Sequence, residues 1–159
     1  MSKVFEKAVA ALKEKHLTVT FAESCTGGLL CKSITDVPGA SNVFHGGAVT
    51  YSNDIKISVV NVSAETIEKY TEVSRQTARE MAEGVRAVFG ADIAVSATGY
   101  AGPGGGTEEN PVCTVYVGVA GKDGVSAYRL YYPGRSREQI RELVTAFAAY
   151  AVECEAARF

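Results

Sequence analysis

Two side chains in this sequence have the chemistry of an amide-cleaving pair if the fold brings them together. Ser24 lies in Glu23-Ser24-Cys25-Thr26-Gly27-Gly28, directly after an apolar, β-branched run, LTVTFA, at 17–22. A hydroxyl at a strand-to-helix turn, followed by glycines that let backbone come close to a ligand, has the layout of a nucleophile elbow, although GxSxG itself is absent. Free N–H groups at such a helix start stabilise a phosphate or a developing oxyanion. The same position also suits plain helix capping by Ser24 or Thr26. Cys25 is a rival nucleophile, and small buried cysteines are also ordinary core residues. Lys56 closes the polar stretch YSNDIK. Serine needs a base to attack an amide, and lysine serves when burial or a nearby cation depresses its pKa. Without that environment Lys56 is a solvated surface residue. His45, ahead of Gly46-Gly47, is the alternative base.

A third segment is Thr98 followed by GYAGPGGGT at 99–107. It is not a P-loop, because no lysine follows the glycines, and it is not GxGxxG opening a helix, because Asn110-Pro111 and a strand pattern follow. It reads either as an irregular surface loop or as a ligand loop, with the Thr98 hydroxyl aimed at a ligand or at the base. Glu23 and the pair Glu108-Glu109 are available to bind a cationic group or a water.

These loops need strands and helices to hold them. Val4, Ala8, Val9 and Leu12 predict an amphipathic helix over 3–15, and 17–22 a buried strand. LLCKSI predicts a helix stopped near Asp36-Val37-Pro38-Gly39. A second strand is expected at 46–51, with Ser52-Asn53-Asp54 a turn or cap and Lys56 just beyond. Ser63 and Ser74 are expected to cap two helices, the second lined by Ala78, Met81, Ala82, Val85 and Phe89. Residues 91–98 form a third strand, and 112–120 with 125–132 a hairpin across Gly121-Lys122-Asp123-Gly124. Ser136 and Gln139 make a capping box for the last helix, with a stripe of Ile140, Leu143, Val144, Phe147, Ala151 and Cys154. Strand–helix alternation followed by a hairpin predicts one α/β domain over 1–159, with three α/β/α layers and a mixed, mostly parallel sheet of about five strands. In such sheets ligands bind beyond the carboxyl ends of the strands, where all three loops emerge.

Composition narrows the function classes. The formal net charge of -2 over 159 residues predicts no nucleic-acid or anionic-membrane partner. Four cysteines match no zinc or CxxC spacing and are too sparse for a disulfide scaffold, and two histidines exclude a multi-histidine metal site. No metal and no cofactor are expected. The charged amphipathic start has no signal-peptide core, and no run is long enough to span a membrane, so a cytoplasmic protein is expected.

Taken together, AESCTGG at 22–28, GG-x-V-x-YSN-x-x-K at 46–56, TG-x-AGP-x-GG at 98–106 and PV-x-TV at 111–115 resemble the CinA C-terminal domain family. That family includes stand-alone nicotinamide-nucleotide amidases. The resemblance implies a three-layer α/β/α domain, often dimeric, that hydrolyses nicotinamide mononucleotide to nicotinate mononucleotide and ammonia by a serine–lysine mechanism. Its serine falls on Ser24 and its lysine on Lys56, with Tyr51, Asn53 and Thr98 as polar neighbours. The substrate, a small pyridine nucleotide, is then expected to meet Glu23, Cys25, Thr26, Gly27 and Gly28. On the third loop it is expected to meet Gly99, Tyr100, Ala101, Gly102 and Gly105. An arginine of the last helix, Arg135, Arg137 or Arg141, is expected to assist the phosphate, Arg137 foremost. Three positions depart from the family pattern: Tyr100 replaces isoleucine, Cys113 replaces glycine, and Gly134-Arg135-Ser136-Arg137 replaces Gly-Asp-Arg. A nucleotide-binding or regulatory domain with the same pocket and little turnover is the alternative.

Overall fold

The computed structural model describes residues 3–159. Helix α1 (Glu6–Glu14) turns Ala8, Val9 and Leu12 inward, and β1 (Val19–Glu23) is buried along its whole length. A left-handed Gly28 leads into α2 (Leu29–Thr35), and a short 3-10 turn (Ala40–Asn42) precedes β2 (Ala48–Val49). Three helices follow: α3 (Asn53–Val60), α4 (Ala64–Tyr70) and α5 (Arg75–Phe89). Then come β3 (Ile93–Gly99), β4 (Thr114–Gly121), β5 (Gly124–Tyr131) and the long α6 (Arg137–Ala156).

The five strands form one sheet in the order β2-β1-β3-β4-β5. β1 runs parallel to both β2 and β3, while β4 is antiparallel to β3 and to β5. Four strands therefore share a direction and β4 alone opposes them. The hairpin closes with Gly121 opposite Gly124, as the Lys122-Asp123 turn predicts.

The period-two alternation of the strands separates two kinds of face. Val19, Phe21, Ile93, Val95, Val115, Val117 and Val119 pack with α1, α2 and α6 in the larger core. The opposite face is lined by small residues, Ala22, Ala94 and Ala120, which pack with Met81, Ala82 and Val85 of α5. Here α5 lies close: Ser96 Oγ donates to the Ala78 carbonyl at 2.6 Å and accepts from Gly118 N–H at 3.2 Å. A Cβ at Gly118 would collide with that carbonyl, and one at Gly84 with the Val60 carbonyl where α3 crosses α5.

Of the two readings of Ser52-Asn53-Asp54 the cap holds: Ser52 Oγ accepts from Ile55 N–H at 3.3 Å and starts α3. Three expectations change. β2 is two residues long, not six: at Gly46 the ladder gives way to a side-chain bond from Thr20 Oγ1 at 2.8 Å. Ser63 occupies the N-cap of α4 without capping through its side chain, and its N–H donates to Glu80 instead. On α6, Leu143 and Phe147 are only half-buried and Cys154 is exposed, since the buried stripe runs through Val144, Ala148, Ala151, Val152 and Ala156. The Ser136–Gln139 capping box forms as expected.

Candidate active site

Ser24 stands at the carboxyl end of β1. Its N–H donates to the Ala97 carbonyl at 2.9 Å, so the β1–β3 ladder holds the residue to its last atom before the chain turns. The turn runs through Gly27 (φ 63°) and Gly28 (φ 99°), left-handed conformations that favour glycine. Helix α2 then begins, and its orphan N–H groups are taken by Glu23. The fully buried carboxylate folds over the helix start, with Oε2 accepting from Gly28 and Leu30 at 3.0 Å each and Oε1 from Cys31 at 2.8 Å. An anion suits a helix N-terminus. Neither Ser24 nor Thr26 caps α2 through its side chain, so the Ser24 hydroxyl is left for other work.

Its partner is Lys56. Helix α3 begins just beyond β2 and turns the Lys56 side chain inward, where it is 1% exposed. Nζ lies 3.2 Å from Ser24 Oγ, 2.9 Å from the Thr50 carbonyl and 3.5 Å from the Tyr51 carbonyl. No carboxylate stands within 4 Å of it among the described residues. Burial lowers the Lys56 pKa, and Glu72 and then Cys25 oppose this more weakly. As a neutral amine, Lys56 would give its two hydrogens to the two carbonyls. Its lone pair is then directed at the Ser24 hydroxyl, which is the geometry of a general base.

The third loop closes the site. Ser24, Lys56, Cys25, Tyr51, Thr98, Gly99, Tyr100, Ala101 and Arg137 line one cavity of about 200 Å³. Arg137 spans two loops, donating from Nη1 to the Gly102 carbonyl at 2.8 Å and from Nη2 to Tyr51 Oη at 3.1 Å. On its other side a wider cavity of about 630 Å³ is lined by Thr26, Gly27, Gly28, Lys32, Arg137 and Arg141. Arg141 Nε donates to the Cys25 carbonyl at 2.9 Å. Among the described residues, the N–H groups of Cys25 and Thr26 have no protein acceptor, which leaves them available to an oxyanion beside Ser24. The Cys25 thiol is pushed up to about 12 by burial, so it carries no thiolate near neutrality.

The remaining sequence candidates sit elsewhere. Glu23 is spent on the α2 N-terminus. Asn53 is the exposed first residue of α3 and lines neither cavity. Thr98 reaches the cavity, but its hydroxyl donates to the Glu72 carbonyl at 2.7 Å and not to Lys56. Gly102 contributes a carbonyl to Arg137, and Gly105 packs on the Tyr100 ring. Arg135 lies at a separate groove beside Val4 and Leu143, while Glu108 and Glu109 are exposed. Glu72 and Val73, which line the cavity from the segment between α4 and α5, escape sequence reasoning. They carry no glycine mark, and only the Ser74 cap after them signals a chain reversal. No group of three potential metal-ligating side chains occurs among the described residues.

The geometry can be set beside known proteins. The chain is 44% identical over 147 residues to a CinA-like protein of Pseudothermotoga lettingae, covering 92% of this chain and 36% of that protein. It is 44% identical over 143 residues to a CinA-like protein of Shewanella amazonensis, covering 90% of this chain and 34% of that one. The chain thus spans about a third of the length of these relatives. Among solved structures, a competence-damaged protein (CinA) superfamily protein of Klebsiella pneumoniae superposes with a TM-score of 0.94 at 30% identity, over 99% of this chain and 98% of that one. The competence/damage inducible protein CihA of Agrobacterium tumefaciens gives a TM-score of 0.93 at 36% identity, over 96% and 93% of the two chains. Residues 1–155 match the CinA C-terminal domain, and the chain belongs to that family.

Proposed function

We propose that this chain is an amidohydrolase that converts nicotinamide mononucleotide and water to nicotinate mononucleotide and ammonia. The observation that carries the reading is the buried, carboxylate-free Lys56 amine 3.2 Å from Ser24 Oγ. Neutral Lys56 takes the proton as Ser24 Oγ attacks the carboxamide carbon. The Cys25 and Thr26 N–H groups are positioned for the resulting oxyanion, a contribution of about 3 kcal/mol per donor in comparable sites. Collapse breaks the C–N bond, and protonated Lys56 returns its proton to the leaving nitrogen, which departs as ammonia. An ester to Ser24 remains. A water that gives its proton to Lys56 attacks this ester, and Ser24 leaves with that proton. The wide cavity beyond Arg137, with Arg137, Arg141 and Lys32 on its wall, supports an anionic phosphate at the far end of the substrate.

The test is ammonia release from nicotinamide mononucleotide, with the riboside, free nicotinamide and the dinucleotide as controls. Turnover that is fastest on the mononucleotide supports the reading. Tight mononucleotide binding with no ammonia would point to a binding or regulatory domain, and equal efficiency on riboside and mononucleotide would remove the phosphate from recognition.

A further inference from the structure

The Glu72 side chain is unaccounted for. It lines the Ser24–Lys56 cavity, is half-buried, and among the described residues has neither a hydrogen-bond donor nor a cation within salt-bridge distance. A carboxylate partly withdrawn from water with no partner is unfavourable, yet the fold takes care to place it. Thr71, just before it, is a β-branched residue held at φ 69°, a conformation that persists only when its surroundings impose it. Its carbonyl accepts from Thr77 Oγ1 at 2.7 Å and from Ser74 Oγ at 3.1 Å. The next two carbonyls are held by side chains from the end of β3 and the loop beyond it. Thr98 Oγ1 donates to Glu72 at 2.7 Å, and Asn110 Nδ2 donates to Val73 at 3.1 Å. Asn110 is itself oriented by Tyr116 Oη, which donates to its Oδ1 at 2.9 Å. Four side chains and one strained residue thus fix a short strap that carries the unpaired Glu72 carboxylate.

Tyr100 lines the same cavity. Its ring packs against Gly105, where a Cβ would stand 3.1 Å from Cδ1 at φ 82°, so the glycine lets the loop lie against the ring. The Glu72 charge is felt by both Tyr100 and Lys56, raising the pKa of each against or alongside the larger effect of burial.

We propose that Glu72 and Tyr100 form a cation-selecting wall, which makes the site discriminate in favour of a positively charged aromatic ring presented to Ser24. A carboxylate supplies the opposing charge, and an aromatic ring face attracts a cation through its quadrupole. This rests on the pyridine-nucleotide reading above, in which the reacting carboxamide is carried on a pyridinium ring.

The test uses two nucleotides that share phosphate, ribose and carboxamide and differ in the ring: oxidised nicotinamide mononucleotide, a cationic aromatic pyridinium, and its reduced counterpart, an uncharged dihydropyridine. Both are titrated calorimetrically into the Ser24→Ala protein, which cannot turn them over. The expected result is a preference for the oxidised form of about tenfold or more, falling to within about threefold when Glu72→Gln is added, because the oxidised form alone binds more weakly. Tyr100→Ile should narrow the same ratio. A ratio unmoved by Glu72→Gln, an equal weakening of both nucleotides, or no binding of either overturns the proposal. The reaction is tested separately by ammonia release from the unsubstituted protein. An inert protein that keeps the Glu72-dependent ratio loses the reaction and keeps the wall. An active one whose ratio ignores Glu72 does the reverse.

Discussion

The carboxylate of Glu23 and the hydroxyl of Ser24 are adjacent in sequence and serve opposite sides of the same turn. Glu23 faces into the N-terminus of α2, while Ser24 faces Lys56. Because Glu23 does the capping, stability and chemistry are separable here. Ser24→Ala should lower ammonia release by at least ~100-fold and leave stability within about 1 kcal/mol. Turnover within tenfold of the parent, on folded protein, would mean that Ser24 is not the nucleophile.

Glu23→Gln should show the converse. Three N–H groups lose a charged acceptor in a buried position, and a loss of about 2 kcal/mol is expected in urea denaturation. An unchanged midpoint would show that the helix start finds other partners.

Lys56 makes activity and stability depend on pH in a defined direction. Its folded-state pKa is lowered by burial, while the unfolded chain regains the ordinary value of ~10.4. The base form therefore accumulates below the usual lysine range, and the acid limb of kcat/KM should lie there. Between the two values the unfolded state binds more protons, so stability rises with pH. The parent should gain stability relative to Lys56→Met as pH is raised toward the ordinary lysine range. A difference between the two proteins that is flat or falls with pH contradicts a lowered Lys56 pKa.

Cys113 occupies φ 75° and is buried, with Sγ 3.5 Å from the Arg135 carbonyl. The resemblance places glycine here, and the backbone shows why glycine suits. Cys113→Gly and Cys113→Ala both remove the sulfur, but alanine keeps the left-handed strain. The glycine variant should be the more stable of the two by about 1 kcal/mol, the reverse of the usual order. Differential scanning calorimetry of the pair decides it.

Where hydrophobic period and turn chemistry are strong, the sequence is readable. The hairpin, the Ser136 capping box and the inward faces of α1 and α5 follow from residue type and spacing. Helix α3 is legible only at its Ser52 cap, because the β-branched residues of IKISVV are weak helix formers and tertiary packing against α5 overrides that preference. Ser24 and Lys56 stand out through the glycines and polar turn around them, but their approach depends on α3 and could not be read from spacing. Glu23 looks like a ligand-binding acid until the helix start behind it is seen. Glu72 is invisible beforehand, since its place is set by long-range bonds from Thr98 and Asn110.

The two faces of the sheet imply opposite vulnerabilities to substitution. On the side of Val95, Val117 and Val119, side chains fill space, and trimming them leaves voids. On the side of Ser96 and Gly118, helix α5 rests nearly on the strands, and harm comes from adding atoms. A methyl group at Gly118 would lift α5, and the Glu72–Val73 strap enters α5 directly through its Ser74 cap. Loss of size on the valine face therefore costs stability through voids, while one carbon gained at Gly118 on the other face would be transmitted through α5 to the cavity wall.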